Sequence, residues 1–200
     1  MLRKLGIGLI AALLAAIGLW VAALKLLPDA PVPLGDPVAP PSPSPQAVIS
    51  AHDGPLAIPV AGIASGSVSD SWGDPRENGL REHHGTDIIA AAGTPVIAAA
   101  PGRIEKLWTS AAGGITLYVR SPKRTWLYYY AHLSGYAPGV HEGQVVKTGD
   151  PLGFVGDTGN AGTGNYHLHF GLTRTTPEQH WYEGRDVDPF PYLAGKPAAR

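Results

Sequence analysis

The sequence predicts a mostly β protein: a compact antiparallel β-sheet domain with many tight turns. Three observations lead there. The 200 residues include 26 Gly and 20 Pro, against a usual share of about 12% for the two together, and long helices or coiled coils would not tolerate so many breakers. Short runs of apolar residues alternate with polar ones at period two, and turn residues separate them. No segment carries a convincing amphipathic helical period.

The strands can be placed in order. The run Thr94-Pro95-Val96-Ile97 ends at a Pro101-Gly102 turn, and Arg103 to Trp108 follows. Ile115, Leu117 and Val119 alternate with Thr116, Tyr118 and Arg120, as on a half-buried strand. After a Ser121-Pro122 turn the pattern resumes from Thr125 to Ala131. Short runs around Val145, Leu152 and Phe154 are punctuated by Gly143, Gly149, Gly153 and Gly156, and a last apolar run spans Tyr166 to Leu172.

This domain, taken as residues 59–193 with a tail at 194–200, is preceded by two segments of different character. Residues 1–27 carry Arg3 and Lys4 ahead of an uninterrupted apolar run from Leu5 to Leu24. At about 1.5 Å per residue the run is about 30 Å long, the thickness of a bilayer's hydrocarbon core. Basic residues before it favour an N-terminus kept in the cytoplasm and a chain exported beyond it. Its length favours an uncleaved membrane anchor over a cleaved signal peptide, whose apolar region runs to about 7–15 residues. Residues 28–58 are rich in proline, with Pro28, Pro31, Pro33, Pro37, Pro40 and Pro41 in the first half, and are expected to form a disordered, extended spacer. About 30 residues at about 3.1 Å each reach roughly 90 Å. The expected location is the inner membrane, single-pass, with the domain in the periplasm, or export after signal cleavage.

Composition also narrows the chemistry. Lys plus Arg is 15 and Asp plus Glu is 16, so there is no basic footprint for nucleic acid. The absence of Cys excludes disulfides, zinc fingers and thiol catalysis. With eight His and no Cys, any metal site must be built from imidazole and carboxylate.

Three clusters could carry such a site. His167 and His169 stand two apart in a strand-like run and so share a face. His83 and Asp87 are four apart around Gly85, again in phase on a strand; nitrogen and oxygen at this spacing can bind one zinc ion at about 2.0–2.2 Å. His132 follows the aromatic strand. Each cluster alone has a plainer reading, as strand polar residues or a charged loop near Arg76, Glu77, Arg81 and Glu82. Together, His83, Asp87 and one of His167 and His169 form a two-His, one-carboxylate set, the pattern of catalytic rather than structural zinc. His132 and the other member of the pair then remain for proton transfer and oxyanion stabilisation.

At these residues the chain resembles the M23 family of zinc metallopeptidases, the LytM/lysostaphin-type enzymes that cut peptide cross-links of bacterial cell walls. The resemblance is carried in order by Ser71-Trp72-Gly73, His83-His84-Gly85-Thr86-Asp87, Gly93-Thr94-Pro95-Val96, Tyr130-Ala131-His132-Leu133-Ser134, the glycine-rich stretches at 143–150 and 156–160, and Tyr166-His167-Leu168-His169-Phe170. It implies the duplicated hybrid motif-like fold of that family. It implies Zn²⁺ held by His83, Asp87 and His169, with His132 and His167 as the catalytic pair; which of the two is the general base stays open. His84, between the ligands, is read as non-ligating. The implied function is hydrolysis of peptidoglycan cross-links by metal-activated water, with peptide stems as substrate. The alternative is a non-catalytic module of the same fold that binds peptidoglycan or activates another hydrolase. The remaining His52, His141 and His180 are read as solvated, and Trp72, Trp108 and Trp126 as core or groove wall. Tyr128, Tyr129 and Tyr130 alternate faces, so they cannot all line one site.

Overall fold

The computed structural model describes residues 55–193. The apolar segment expected over residues 1–27, the proline-rich segment through residue 54 and the tail at 194–200 lie outside the described residues. Among the described residues no helix is long and apolar enough to cross a membrane.

The fold is mostly β and antiparallel. A small hairpin pairs β1 (Pro75–Arg76) with β2 (Arg81–Glu82). The main sheet contains β3 (Thr86–Ile89), β4 (Pro95–Ile97), β5 (Gly102–Ser110), β6 (Gly114–Arg120), β7 (Trp126–Tyr136), β8 (Val145–Val146), β9 (Pro151–Val155), β10 (His167–Arg174) and β11 (Arg185–Val187). Its path runs β11-β10-β7-β6-β5-β8, while β3 also pairs with β10, and β9 bridges β7 and β4. A single turn of helix, α1 (Phe190–Leu193), closes the described chain; its Leu193 is buried, and Phe190 and Tyr192 pack on the core.

The period of two decides what each strand presents. On β10, Leu168, Phe170 and Leu172 are buried in the core, while His167 and His169 take the opposite face. On β7, Tyr128 and Tyr130 are fully buried, and Tyr129 faces the other way. Burying a ring such as Phe170 contributes roughly 1.5–3 kcal/mol, so a one-residue slip would exchange core for histidine along the whole strand. Strand β10 is the junction. One edge pairs first with β3 through His167 to Phe170 and then with β11 through Leu172 to Arg174; the other edge pairs with β7.

Candidate metal centre

The β3–β10 register sets Asp87 directly opposite His169, and the next pair on β10 is Ala131 of β7 against the same His169. His83 lies just before β3, where its backbone N–H donates to Asp74 and its carbonyl accepts from Gly73. The result is a tight triangle. His83 Nε2 is 2.8 Å from His169 Nδ1 and 3.0 Å from Asp87 Oδ1, and His169 Nδ1 is 3.1 Å from the same oxygen. Among the described residues these three side chains form the group that could hold a metal ion. Two nitrogens and an oxygen suit zinc. Three atoms about 3 Å apart can all lie about 2.0–2.2 Å from one point.

Each member is oriented by a neighbour. His83 Nδ1–H donates to the Ser71 carbonyl at 2.6 Å, which leaves a lone pair on Nε2. Ser71 Oγ also accepts from the Asp87 backbone N–H at 3.0 Å. The Arg76 guanidinium holds Asp87 Oδ2 at 2.6 Å, so Oδ1 is the oxygen turned to the histidines. Gly85 has no side chain where one could not fit: a Cβ there would lie 2.5 Å from His169 Cε1. Burial opposes the charge on Asp87, but hydrogen bonds and charge from His169 and His83 override it and hold the carboxyl well below the usual range. Burial pushes His169 down, against the pull of Asp87, so its ring favours the neutral form.

Two more imidazoles stand beside the triangle. The His132 ring is 4.8 Å from that of His167 and 5.9 Å from that of His169, centroid to centroid. Both are oriented by backbone: His132 Nδ1–H donates to the Thr158 carbonyl at 2.7 Å and His167 Nδ1–H to the Asn165 carbonyl at 2.9 Å. Each Nε2 is thereby left as an acceptor. His167 Nε2 is 3.8 Å from Asp87 Oδ1. Burial pushes His132 down to about 4, with the nearby histidines adding to the effect and the Thr158 hydrogen bond opposing it.

His132 also has an unusual backbone. Its φ is +60°, where a non-glycine residue is uncommon and strained by about 1–3 kcal/mol. The register between β6 and β7 slips at this point, with Ile115 opposite Leu133 but Leu117 opposite Tyr130. The extra residue is a bulge, a device that re-aims a side chain. It is pinned from both sides, because the His132 N–H donates to Gly113 and Thr158 Oγ1 donates to Leu133 while accepting from Ile115. Gly159, at φ +73°, lets the loops interlock; a Cβ there would lie 2.3 Å from the Ala112 carbonyl oxygen.

The five histidine and aspartate residues singled out in the sequence thus converge on one groove of about 340 Å³, which Tyr129, Asn160, Arg76 and Arg81 also line. His84 stays apart, stacked 5.2 Å from Trp72 and paired with Asp186 at 3.1 Å. His141 turns back on the Gly139 carbonyl and His180 stacks on Tyr182. Trp126 is core, whereas Trp108 is 47% exposed. Sequence reasoning missed Arg76, the carbonyls of Ser71 and Thr158, and the place of Tyr129. One signal for Arg76 was present: Asn78 and Gly79 both take the left-handed turn conformation this dipeptide favours, and the hairpin they close brings Arg76 back over Asp87.

The family model described as peptidase family M23 matches residues 81–189. An L-Ala–D-Glu endopeptidase of Bacillus subtilis is 36% identical over 133 residues, which cover 64% of this chain and 39% of that protein. A peptidoglycan DD-endopeptidase of Vibrio cholerae is 37% identical over 91 residues, covering 46% of this chain and 20% of its own length. The chain therefore spans well under half the length of these curated relatives. The solved catalytic domain of the antimicrobial peptidase lysostaphin from Staphylococcus simulans is 28% identical, with a TM-score of 0.53, over 63% of this chain and 90% of that domain.

Proposed function

The chain belongs to peptidase family M23, and from that premise we propose that it is a zinc-dependent endopeptidase that hydrolyses peptide bonds in bacterial peptidoglycan, with His83, Asp87 and His169 as metal ligands and His132 and His167 as the catalytic pair. The observation that carries the reading is the pair of imidazoles beside the ligand triangle, each with Nδ1 tied to a carbonyl and Nε2 left free. A module that only bound peptidoglycan would have no need of two oriented proton acceptors there. The endopeptidases of peptidoglycan among its relatives support the substrate class.

Zinc, when bound, supplies a Lewis acid that polarises a peptide carbonyl and makes attacking water more acidic. The rest is work for the chain's own side chains. The groove holds the peptide across the sheet face beside the triangle. His132, kept neutral by burial, begins as a proton acceptor at Nε2. A proton taken at one Nε2 is delivered to the leaving amine. The other imidazole, once its Nε2 also carries a proton, donates from that nitrogen to the oxygen on which negative charge gathers, its Nδ1–H staying on the backbone carbonyl. Arg76 holds Asp87 Oδ2 and so keeps Oδ1 turned inward throughout. The membrane anchor at residues 1–27 and the periplasmic placement belong to the same proposal.

The test is direct. The full chain, loaded with zinc and incubated with purified peptidoglycan, should release muropeptides with new amino and carboxyl termini, read by mass spectrometry. A chelator should stop the release and added zinc restore it. No new termini from wild-type protein that has bound zinc would sink the enzyme reading, and the position of new termini identifies the bond cut.

A further inference from the structure

A ridge of aromatic side chains rises on the same face of the sheet as the groove, and the chemistry above does not use it. Tyr118 of β6 sits opposite Tyr129 of β7, their rings 4.6 Å apart, and Tyr129 in turn meets the His169 ring at 5.8 Å. From Tyr118 the chain of rings continues to Trp181 at 4.9 Å, and from Trp181 to Trp108 of β5 at 5.7 Å. Trp108 is 47% exposed, and the neighbouring Tyr182, against Trp181, is 66% exposed. Soluble domains seldom leave large rings clustered in water without use.

The ridge is held in shape by a dedicated clamp. Trp181 lies in the loop between β10 and β11. Arg120, which the alternating pattern of β6 would have placed among polar surface residues, is 2% exposed. It pairs with the Glu105 carboxylate and donates to Thr175 Oγ1 at 2.9 Å and to the Gln179 carbonyl at 3.1 Å. A buried guanidinium needs such partners, and their consequence is that the loop carrying Trp181 is tied to the sheet beside Trp108.

We propose that Trp108, Trp181 and Tyr118 form a glycan-binding platform, on which N-acetylated sugar rings of the peptidoglycan strand stack while the attached peptide lies in the groove. The proposal rests on peptidoglycan being the substrate. Two features favour a sugar over a protein partner. The ridge is made of flat rings with a charged and hydroxylated border: the Lys106–Glu142 pair at 2.9 Å beside Trp108, and Thr173 donating to Asp186 at the β11 side. A pyranose has the matching form, an apolar C–H face rimmed by hydroxyls, whereas a protein partner would call for aliphatic side chains. The large exposed aliphatics among the described residues, Leu80, Ile89 and Val145, stand on other elements, the β1–β2 turn, β3 and β8. The ridge also runs into the groove without a gap, through Tyr129. A stem peptide hangs from its sugar, and at about 3.3 Å per extended residue a short stem bridges the few ring-widths between the ridge and the ligand triangle.

The test compares the full chain with Trp108→Ala, Trp181→Ala and the conservative Trp108→Phe on two probes. Glycan strands stripped of their stems report the ridge alone, by co-sedimentation; a sugar-free cross-linked stem peptide reports the groove alone, by its rate of hydrolysis. Wild type should bind stripped glycan, each alanine variant should lose about tenfold in affinity, and Trp108→Phe should keep most of it. Hydrolysis of the sugar-free peptide should be unchanged in all three. The proposal falls if wild type does not bind stripped glycan, or if the alanine variants bind as wild type does, the result for a ridge reserved for a protein or for the chain's own proline-rich segment. It falls also if both alanine variants lose peptide hydrolysis in step with glycan binding, the result for rings that only support the sheet. A protein that binds stripped glycan through these tryptophans yet cuts no peptide keeps the platform and overturns the enzyme reading.

Discussion

The two halves of the groove are built differently. The ligand half, His83, Asp87 and His169, is held chiefly by strand register: β3 sets Asp87 against His169, while the Arg76 side chain and the Ser71 carbonyl fix what register leaves free. The proton half, His132 and His167, is held by carbonyls of loop residues Thr158 and Asn165, and by a strained bulge. The atoms used also differ. In the ligand half the free nitrogens turn toward one another, down to 2.8 Å, which three neutral or anionic donors tolerate only with a cation or proton between them. In the proton half both rings line the groove, with His167 Nε2 3.8 Å from Asp87 Oδ1. The lesson is that four imidazoles within a few ångströms become two kinds of group according to where the remaining nitrogen points, since His83 is tied to a backbone carbonyl just as His132 and His167 are.

Breaking each half separately should give unlike failures. His169→Ala removes one corner of the triangle and should abolish both bound zinc, measured by metal analysis of the purified chain, and peptidoglycan hydrolysis. His132→Ala and His167→Ala should keep zinc at wild-type stoichiometry while the hydrolysis rate falls about 10²–10⁴-fold, the range for a lost general acid or base. Loss of zinc in the His132→Ala protein would erase the division between the halves.

The halves were also unequally legible in the sequence. Period two and the turn residues gave the strands, and the spacing of His167 and His169 gave a shared face. Nothing local distinguished the two, because register, not spacing, sets His169 opposite Asp87. The choice between them came from family resemblance. The positive φ of His132 left no trace in the composition around it, since bulges arise from the mismatch of two strands far apart in sequence. Arg120 reads as a surface residue on an alternating strand and is buried because Glu105 and a loop more than fifty residues on supply its partners. Arg76 was hidden in a charge-rich stretch that reads as solvated loop.

Arg76 sharpens the comparison by testing whether the ligand half depends on a partner outside the triangle. Arg76→Gln keeps length and polarity but loses the charge on Asp87 Oδ2. Zinc affinity, by competition with a chromophoric chelator, should weaken about 10–100-fold, as for other residues that orient a ligand. The rate at saturating zinc should change far less. An unchanged affinity would mean that strand register alone positions Asp87.

The smallest effect should come from titrating the proton half in metal-free protein. Burial lowers His132 to about 4 in the folded state, against about 6.5 when unfolded. The unfolded chain therefore binds more protons between those values, and stability rises with pH across the same window. The contribution is present in full above about pH 6.5 and is lost as pH falls toward 4. With the ring edge still meeting groove water, the loss should be on the order of 1–2 kcal/mol rather than the full value of about 1.4 kcal/mol per unit. Denaturant melts of the full chain in chelator at pH 7.5 and 4.5 measure it. His132→Gln starts from a different stability but should lose less between the two pH values, because glutamine does not titrate. Equal losses in both proteins would mean that the acid sensitivity belongs to the ligand half, where burial lowers His169 in the same direction, and that the bulge positions His132 without holding it neutral.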